Sequence, residues 1–277
     1  MTNNIAFQGA LGAYSDEACR AAYPNMMPLP CHTFEDIINA VQSGIADLAM
    51  VPVENSTYGR VADIHRLLPD SGLHIVNETF TRVRISLMAI PESRLDCIKK
   101  VRAHMVLLPQ ARKFLEKHNI EAVSAADSAR AASELAESRD LTCGVLASEL
   151  AAETYGLNIL AHNIEDHSHN TTRFLIMSRK PDTKKRGTGK MKTTFVFQVR
   201  NIPAALYKAM GGFATNNVNM LKLESYMLDG SFTATQFYAD VEGHPDDANV
   251  QRALEELDYF STKIKILGVY PANPHRK

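Results

Sequence analysis

The chain has 277 residues, enough for one large domain or two ordinary ones, and 45% of them are hydrophobic, which allows a sizeable core. Its 30 basic and 31 acidic residues nearly cancel and Trp is absent, so neither charge nor stacking favours binding to nucleic acid or an anionic membrane. Cys19, Cys31, Cys97 and Cys143 form no CxxC pair, which argues against a zinc ribbon or redox dithiol. With no signal-peptide pattern at the N-terminus, we expect a cytoplasmic protein.

A glycine-containing turn follows the first predicted strand. The strand covers residues 5–7, the turn covers residues 8–15, and Ser15 is expected to cap a helix over residues 16–23. Free N–H groups and the helix dipole point at such a turn, so it is a potential anion site. An ordinary tight turn fits the pattern equally well. The GxxG spacing does not indicate a dinucleotide fold.

Polar residues crowd the end of the buried strand predicted at residues 48–51. Ligands of open α/β sheets collect at the carboxyl ends of strands, so polar side chains at this point are candidates for binding. The alternative is a helix start capped by a hydroxyl group. The polar residues in question are Glu54, Asn55, Ser56 and Thr57.

Strand and helix patterns alternate through residues 73–161, which predicts an α/β fold with mostly parallel strands. Thr33 and Asp36 form a capping box, and Ser128 is expected to cap an alanine-rich helix. Residues 161–169 contain three histidines but no helix-spaced pair and no HExxH pattern. We therefore interpret this segment as a polar loop rather than a metal cluster.

Residues 170–174 combine an amide, two hydroxyls, a guanidinium and an aromatic ring. The Arg173 fork suits a carboxylate, and a neighbouring hydroxyl can donate to a second oxygen. The alternative is a plain strand start, since Thr and Phe favour strands. Along a regular strand Thr172 and Arg173 point to opposite faces, so they share a site only if the strand starts after them or twists there.

The segment at residues 182–192 is predicted to be a linker between a first domain at 1–181 and a second at 193–277. Residues 181–190 are rich in Pro, Gly and charged residues and contain no apolar residue. The second domain is predicted to be α+β, with a β-α-β-β-α-β order, an antiparallel sheet and a hairpin turn at Asp229 and Gly230. This order is typical of a ferredoxin-like unit.

Three motifs resemble those of prephenate dehydratases that carry a C-terminal ACT regulatory domain. Residues 9–15 resemble the family's glycine turn, residues 52–61 resemble its P-[IV]-E-N-S-x-x-G-x-V signature, and residues 170–174 resemble its N-x-T-R-F signature. The resemblance covers essentially the whole chain.

The resemblance implies an α/β catalytic domain of two lobes, like a periplasmic binding protein, with the active site in the cleft between them. Lobe 1 would comprise residues 1–77 and 165–181, and lobe 2 residues 78–164. The implied reaction is the decarboxylating dehydration of prephenate to phenylpyruvate, CO2 and water in L-phenylalanine biosynthesis. It requires no metal or organic cofactor.

The resemblance and the residue chemistry together suggest roles for the site. Thr172 would donate to the departing oxygen, Glu54 is a rival acid if a dry cleft raises its pKa, Arg173 would hold a carboxylate and Phe174 would supply an apolar wall. Where the family usually has a Ser-His pair, this chain has Ala103 and His104. The expected substrate-binding residues are Glu54, Asn55, Ser56, Asn170, Ser15, His104 and Gln110.

ACT domains bind amino acids where their first helix begins, often across a dimer interface. The resemblance therefore implies L-phenylalanine as a feedback effector and a homodimer or homotetramer formed through the ACT domains. The chain departs from the family pattern at Ala204, usually Gly, and at Tyr226 and Met227, usually Arg and Pro. The matching positions are Asn201, Pro203, Ala204, Ala205, Leu206, Leu223, Glu224 and Ser225.

Two alternatives remain open at the level of sequence. The enzyme could act on arogenate, which carries an amino group in place of the keto oxygen, and no side chain here identifies the substrate. A sensor that binds a small acid without turnover is the other alternative, but it should come with an effector domain. The tail has no recognisable pair of DNA-binding helices.

Overall fold

The computed structural model describes residues 3–182, 190–227 and 234–274. Most of the predicted linker and the predicted turn at Asp229 and Gly230 lie outside these residues. The chain divides into two compact units, Met1–Ile64 with Thr79–Phe174, and His65–Glu78 with Leu175–Lys277. No helix within the described ranges is both long and apolar enough to span a membrane.

The first part of the chain alternates strands and helices up to the strand that carries the Thr-Arg-Phe motif. The helix at Ala62–Leu67 and the strands at His74–Arg82 and Thr171–Ser178 contain residues of both units. The elements are β1 Asn4–Gln8, α1 Tyr14–Ala22, β2 Met27–Cys31, α2 Phe34–Gln42, β3 Leu48–Asn55, β4 Gly59–Arg60, α3 Ala62–Leu67, β5 His74–Arg82, β6 Ser86–Ala89, β7 Lys100–His104, α4 Arg112–His118, β8 Glu121–Ala125, α5 Ser128–Glu137, β9 Cys143–Ala147, α6 Glu149–Tyr155, β10 Asn158–Ala161 and β11 Thr171–Ser178.

The first lobe is built on parallel strands. β1 pairs in parallel with both β2 and β3, and β4 turns back antiparallel on β3. The capping box at the start of α2 is confirmed, because Thr33 Oγ1 accepts from Asp36 N at 3.0 Å and Asp36 Oδ2 accepts from Thr33 N at 3.1 Å. The parallel arrangement brings the carboxyl ends of β1 and β3 to one edge of the sheet.

The second lobe is a five-stranded sheet in the order β10-β6-β9-β7-β8. β7 pairs in parallel with β8 and β9, whereas β6 pairs antiparallel with β9 and β10. One face packs around Ile85, Leu87 and Val101, and the other around Met88 and Val145. The predicted α/β class is confirmed, and the reversed strand β6, second from the edge, adds a direction that hydrophobic periodicity does not encode.

The chain passes into and out of the second lobe through two adjacent segments. Val83 N donates to Asn170 O at 2.9 Å, and Ile164 N donates to Ile85 O at 2.9 Å. Ile85 N also donates to Glu165 Oε2 at 3.0 Å. The two crossings are therefore hydrogen-bonded to each other where the lobes meet.

The second unit follows the predicted β-α-β-β-α-β order, and its predicted antiparallel pairing is confirmed. Its strands lie in the order β13-β14-β12-β15, and its core packs Phe195, Phe197 and Phe213 against α8. The first helix of this order begins at Ala205, with Ala204 as its N-cap. The elements are β12 Met191–Val199, α7 Ala205–Thr215, β13 Met220–Met227, β14 Ala234–Glu242, α8 Ala248–Phe260 and β15 Ser261–Pro271.

A fully buried ionic cluster lies inside the second unit. Lys192 Nζ lies 3.0 Å from Glu78 Oε2 and 3.5 Å from Asp240 Oδ2, and all three side chains are 0% exposed. Thr194 Oγ1 donates to Asp240 Oδ1 at 2.7 Å and lies 2.8 Å from the Tyr270 hydroxyl. Buried charges must be paired or hydrogen-bonded, so this cluster fixes β12 against β14 and against the segment that contains Glu78.

Candidate active site

A cavity of about 830 Å³ lies in the first unit and is lined by both of its lobes. The first lobe contributes the glycine turn at residues 8–15 and the polar ends of β3 and β11. The second lobe contributes the end of β7 and the start of α5. Binding sites for small molecules have volumes of roughly 300–1,000 Å³, so the cavity has room for a small organic acid.

The strand β11 presents Thr172 and Phe174 to the cavity, but not Arg173. Among the described lining residues Arg173 is absent, and its side chain is 1% exposed with Nη1 3.0 Å from Glu54 Oε1. Because β11 begins at Thr171, alternation along the strand turns Arg173 to the opposite face. Thr172 and Arg173 therefore point to opposite faces of β11, and the condition under which they would share one site, a later strand start, is not met. Glu54 is also outside the described lining.

Ser56 holds its loop against β11 rather than facing the cavity. Its Oγ donates to His169 O at 2.9 Å and accepts from Thr171 N at 2.9 Å, and its own N donates to Thr171 O at 2.9 Å. These three bonds join the Glu-Asn-Ser loop to the start of the Thr-Arg-Phe strand. The expected role of Ser56 as a substrate contact does not match this position.

Three side-chain amides form a continuous chain from Thr172 to the second lobe. Asn55 Nδ2 donates to Thr172 Oγ1 at 3.0 Å and to Asn170 Oδ1 at 2.6 Å. Asn170 Nδ2 donates to Gln110 Oε1, and Gln110 Nε2 donates to Val106 O at 2.8 Å. The structure thus brings four of the predicted site residues together: Asn55, Gln110, Asn170 and Thr172.

The glycine turn opens α1 toward the cavity. The helix begins at Tyr14 with Ala13 as N-cap, so the prediction that Ser15 is the cap is wrong. Gly12 N donates to Asp16 Oδ2 at 2.8 Å, which starts the helix earlier. Ser15 lies in the first turn and lines the cavity. Ala13 offers no side-chain acceptor, so the positive end of the helix dipole faces the cavity without a side-chain cap.

The start of α5 faces the same cavity from the second lobe. Its cap is Asp127, whose Oδ1 accepts from Arg130 N at 2.7 Å, so the predicted cap at Ser128 is off by one residue. Ser128 Oγ instead accepts from His104 N at 2.9 Å. The cavity lining includes His104, as expected from the sequence.

Two arginines in the cavity lining, Arg60 and Arg130, were missed by the sequence reasoning. Arg60 lies inside the second signature motif, in a position that the motif leaves variable. Arg130 lies in the first turn of a helix that follows a strand, which is a signal that could have identified it. Both carry the permanent charge that Arg173 was expected to supply.

The lobes pack closely beside the cavity at the glycine turn. Ser148 Oγ donates to Gly12 O at 2.5 Å, and Tyr155 Oη donates to Leu11 O at 2.8 Å. A Cβ atom built on Gly12, which has φ +83°, would lie 2.7 Å from Ala151 Cα. This contact requires glycine both for its backbone conformation and for its lack of a side chain.

We expect Gly12→Ala to lower the free energy of unfolding by about 2 to 4 kcal/mol, combining the left-handed backbone penalty with overpacking. Gly156→Ala is the matched control, because Gly156 has φ +67° and nothing within 4 Å of its added Cβ. It should lose about 1 kcal/mol. Chemical denaturation measures both, and equal losses would contradict the role of crowding at Gly12.

Thiolate chemistry is disfavoured in this cavity. Cys31 lines it, but burial, and then the Asp36 carboxylate, raise the pKa of the Cys31 thiol. A thiol with a raised pKa is a poor nucleophile near neutral pH. Within the described ranges, no three or more His, Cys, Asp or Glu side chains are grouped to hold a metal ion.

Comparison with known proteins identifies the class of this chain. Residues 5–182 match the prephenate dehydratase family. The chain therefore belongs to the prephenate dehydratase family, whose members are lyases that act as dehydratases.

Three similar proteins illustrate the range of the family. A bifunctional N-acyl-homoserine lactone acylase/prephenate dehydratase of Komagataeibacter europaeus is 51% identical over 99% of this chain and 97% of its own length. The chloroplastic arogenate dehydratase/prephenate dehydratase 1 of Arabidopsis thaliana is 38% identical over 96% of this chain and 71% of its own. The structure of an Arthrobacter aurescens prephenate dehydratase in complex with L-Phe has a TM-score of 0.89 and 29% identity, covering 99% of this chain and 91% of that one.

Proposed function

We propose that this protein converts prephenate to phenylpyruvate, CO2 and water in L-phenylalanine biosynthesis. Loss of CO2 and of the ring hydroxyl aromatises the ring, so the driving force is in the substrate. The protein has to hold two carboxylates, donate a hydrogen bond to the departing oxygen and keep water away. The observation that carries the proposal is the Thr172 hydroxyl, which faces a cavity of suitable size beside Phe174.

Thr172 is proposed as the donor to the departing oxygen. An unperturbed hydroxyl is a weak acid, so its contribution is hydrogen-bond stabilisation of the developing negative charge. Glu54 is a weaker candidate because it lies outside the described lining and pairs with Arg173 at 3.0 Å. Glu54 Oε1 accepts from Arg173 Nη1, so this carboxylate oxygen is engaged away from the cavity.

The two substrate carboxylates are proposed to bind at opposite sides of the cavity. On one side the first turn of α1 offers backbone N–H groups and the Ser15 hydroxyl. On the other side the first turn of α5 carries Arg130, and Arg60 lines the cavity as well. A guanidinium binds a carboxylate through two parallel hydrogen bonds. Arg173 is proposed to stabilise the Glu54 loop rather than to bind substrate.

The apolar part of the cavity is proposed to exclude water from the decarboxylating end. Phe174 is 1% exposed and lies two residues beyond Thr172 on the same side of β11. Val83, Val106 and Leu107 add further apolar lining. Such a wall strengthens the electrostatic contacts at the reacting atoms.

The direct test is to mix the protein with prephenate and follow phenylpyruvate by its absorbance. Turnover at a rate well above the spontaneous reaction is the expected result. No turnover of prephenate would overturn the proposal. Running arogenate in parallel, with detection of phenylalanine, determines the substrate preference.

Arogenate is a second candidate substrate because of one residue in the cavity. Asp127 lines it, and a carboxylate there would attract the ammonium group that distinguishes arogenate from prephenate. The Arabidopsis relative is named for both substrates. A kcat/KM for arogenate above that for prephenate would assign the enzyme to this second reaction.

Acyl-homoserine lactone hydrolysis is a further candidate, because the 51% identical Komagataeibacter relative is named for that activity as well. The cavity offers serine hydroxyls at Ser15, Ser128 and Ser148. Incubation with an N-acyl-homoserine lactone and detection of the released fatty acid tests it. Release of fatty acid no faster than in the absence of the protein would exclude this activity.

The second unit is proposed to be an ACT domain that binds L-phenylalanine as a feedback effector. Its β-α-β-β-α-β order supports this, as does the L-Phe complex of the Arthrobacter protein. Ala204, at the expected effector position, is the N-cap of α7 with φ 61°, a left-handed conformation that favours glycine. The proposed effector contacts are Asn201, Pro203, Ala204, Ala205, Leu206, Leu223, Glu224 and Ser225.

Calorimetric titration with L-phenylalanine tests the effector proposal, with D-phenylalanine as control. Saturable heat for the L-enantiomer alone is expected, and no heat would overturn the proposal. A homodimer or homotetramer through this unit is proposed because β13 is an edge strand with exposed Leu223 and Met227. Light scattering after size-exclusion chromatography measures the oligomer.

A further inference from the structure

We propose that Asn55, Asn170 and Gln110 are positioning residues whose amide groups force the Thr172 hydroxyl to aim its proton into the cavity. This inference rests on the proposed role of Thr172 as a hydrogen-bond donor. These three residues were expected to contact the substrate directly. In this proposal they act on the substrate only by orienting the Thr172 hydroxyl. Backbone groups at both ends of this chain of amides fix which end of each amide is oxygen and which is nitrogen.

Asn55 is the first anchor, by which we mean an amide whose orientation is fixed by backbone groups. The atom of its amide that faces the loop lies 2.9 Å from Thr57 N and 3.1 Å from Tyr58 N. Backbone N–H groups only donate, so the atom facing them must be the amide oxygen. The Asn55 NH2 group therefore points the other way, toward Asn170 and Thr172.

The second anchor is at Gln110, in the second lobe. One atom of its amide lies 2.8 Å from the carbonyl oxygen of Val106. A carbonyl only accepts, so that atom must be the amide nitrogen. The Gln110 oxygen is then left to face Asn170, whose side chain sits between the two anchors.

Asn170 can satisfy both anchors in one orientation only. Its oxygen accepts from Asn55 Nδ2 at 2.6 Å and its nitrogen donates to the Gln110 oxygen. Turning its amide over would put two donors together at Asn55 and two acceptors together at Gln110. Both Asn170 and Gln110 are buried, and a buried polar group left unsatisfied costs about 1–3 kcal/mol. The polarity of the chain is therefore fixed.

The consequence falls on Thr172. One Asn55 Nδ2 proton goes to Asn170, and the other is donated to Thr172 Oγ1 at 3.0 Å. The Thr172 oxygen is thus an acceptor, and its own proton must point elsewhere. Across the described ranges no acceptor receives that proton, and Thr172 lines the cavity. An oxygen of the bound substrate is the partner that the geometry leaves for it.

The test is an isosteric reversal of polarity with Asn55→Asp. One introduced oxygen can still accept from the N–H groups of Thr57 and Tyr58, but the other accepts where Asn55 donated. The Thr172 hydroxyl then turns its proton toward the carboxylate and away from the cavity. We expect kcat for prephenate to fall about 10²-fold, the size of losing one preorganised donor. The introduced charge near an anionic substrate is expected to raise KM only a few-fold.

The pH profile separates this effect from a general loss of structure. Protonation of the introduced carboxyl restores an O–H donor, so kcat of Asn55→Asp should rise as pH falls through the pKa of that carboxyl. Gln110→Glu is the matched control, because it adds the same charge to the same cavity while keeping an acceptor toward Asn170. It should lose about tenfold or less, so protonation of its carboxyl can restore no more than that.

Three outcomes decide the inference. A fall in kcat with recovery at low pH supports it, whereas equal losses in both variants with flat pH profiles overturn it. If Asn55→Asp does not fold in a thermal melt, Asn55→Ala carries the test, and an unchanged kcat for that variant overturns the inference. Wild-type turnover of prephenate is measured in the same series, so failure of the proposed function is seen separately.

Discussion

Thr172→Ala is expected to reduce kcat for prephenate by about 10²-fold or more while KM changes by less than about threefold. The substitution removes the cavity-facing hydroxyl but leaves β11 and the proposed carboxylate contacts in place. A donor that acts on charge developing in the transition state affects kcat more than ground-state binding. Steady-state kinetics by phenylpyruvate absorbance measures both constants.

Two variants control for the loss of a hydroxyl and for disturbance of the strand. Thr172→Ser keeps the hydroxyl and should retain a larger share of activity. Thr171→Ala removes the neighbouring hydroxyl, which lies outside the described cavity lining. Near-normal turnover by Thr172→Ala would remove Thr172 from the mechanism.

Lys192→Met is expected to destabilise the protein by about 3–5 kcal/mol, the usual consequence of removing one partner from a buried ion pair. The substitution leaves the Glu78 and Asp240 carboxylates, each 0% exposed, without the cation that lies 3.0 and 3.5 Å from them. Met fills a similar volume, so the loss of stability measures the effect of the unpaired buried charges rather than the effect of a cavity. Chemical denaturation gives the free energy of unfolding.

Lys263→Met is the surface control for the same chemical change. Lys263 is exposed on β15 of the same unit, and its substitution should change stability by less than about 0.5 kcal/mol. Combining Lys192→Met with Glu78→Gln and Asp240→Asn should recover part of the loss, because no charge then remains buried. A loss no larger for Lys192→Met than for Lys263→Met would contradict the argument.

Local signals in the sequence were sufficient for much of the fold. The capping box at Thr33 and Asp36 is complete within four residues, and the β-α-β-β-α-β order follows from periodicity and turns. The two signature motifs identified Asn55 and Thr172, and in the structure Asn55 Nδ2 lies 3.0 Å from Thr172 Oγ1. These features depend on neighbours in the chain or on motifs that carry their own spacing.

Features set by tertiary packing could not be predicted in the same way. The direction of the Arg173 side chain depends on where β11 starts, and that start is set by bonds between Ser56 and Thr171. The Lys192 cluster joins Glu78, Lys192 and Asp240 across long stretches of chain, and nothing local marks a buried lysine. The cap of α5 lies one residue earlier than expected because Asp127 supplies the capping oxygen, and α1 begins at Tyr14 although its N-cap, Ala13, has no capping side chain.

The paired crossings at Val83–Asn170 and Ile85–Ile164 make the second lobe an insert whose two ends are held side by side. A segment with adjoining ends can be cut out, closed by a short connector and exchanged without stretching the remainder of the chain. New termini made within its surface loops would likewise leave both crossings intact. The half of the cavity that carries His104, Gln110 and Arg130 is therefore contributed by a segment that leaves and re-enters the first lobe at one place.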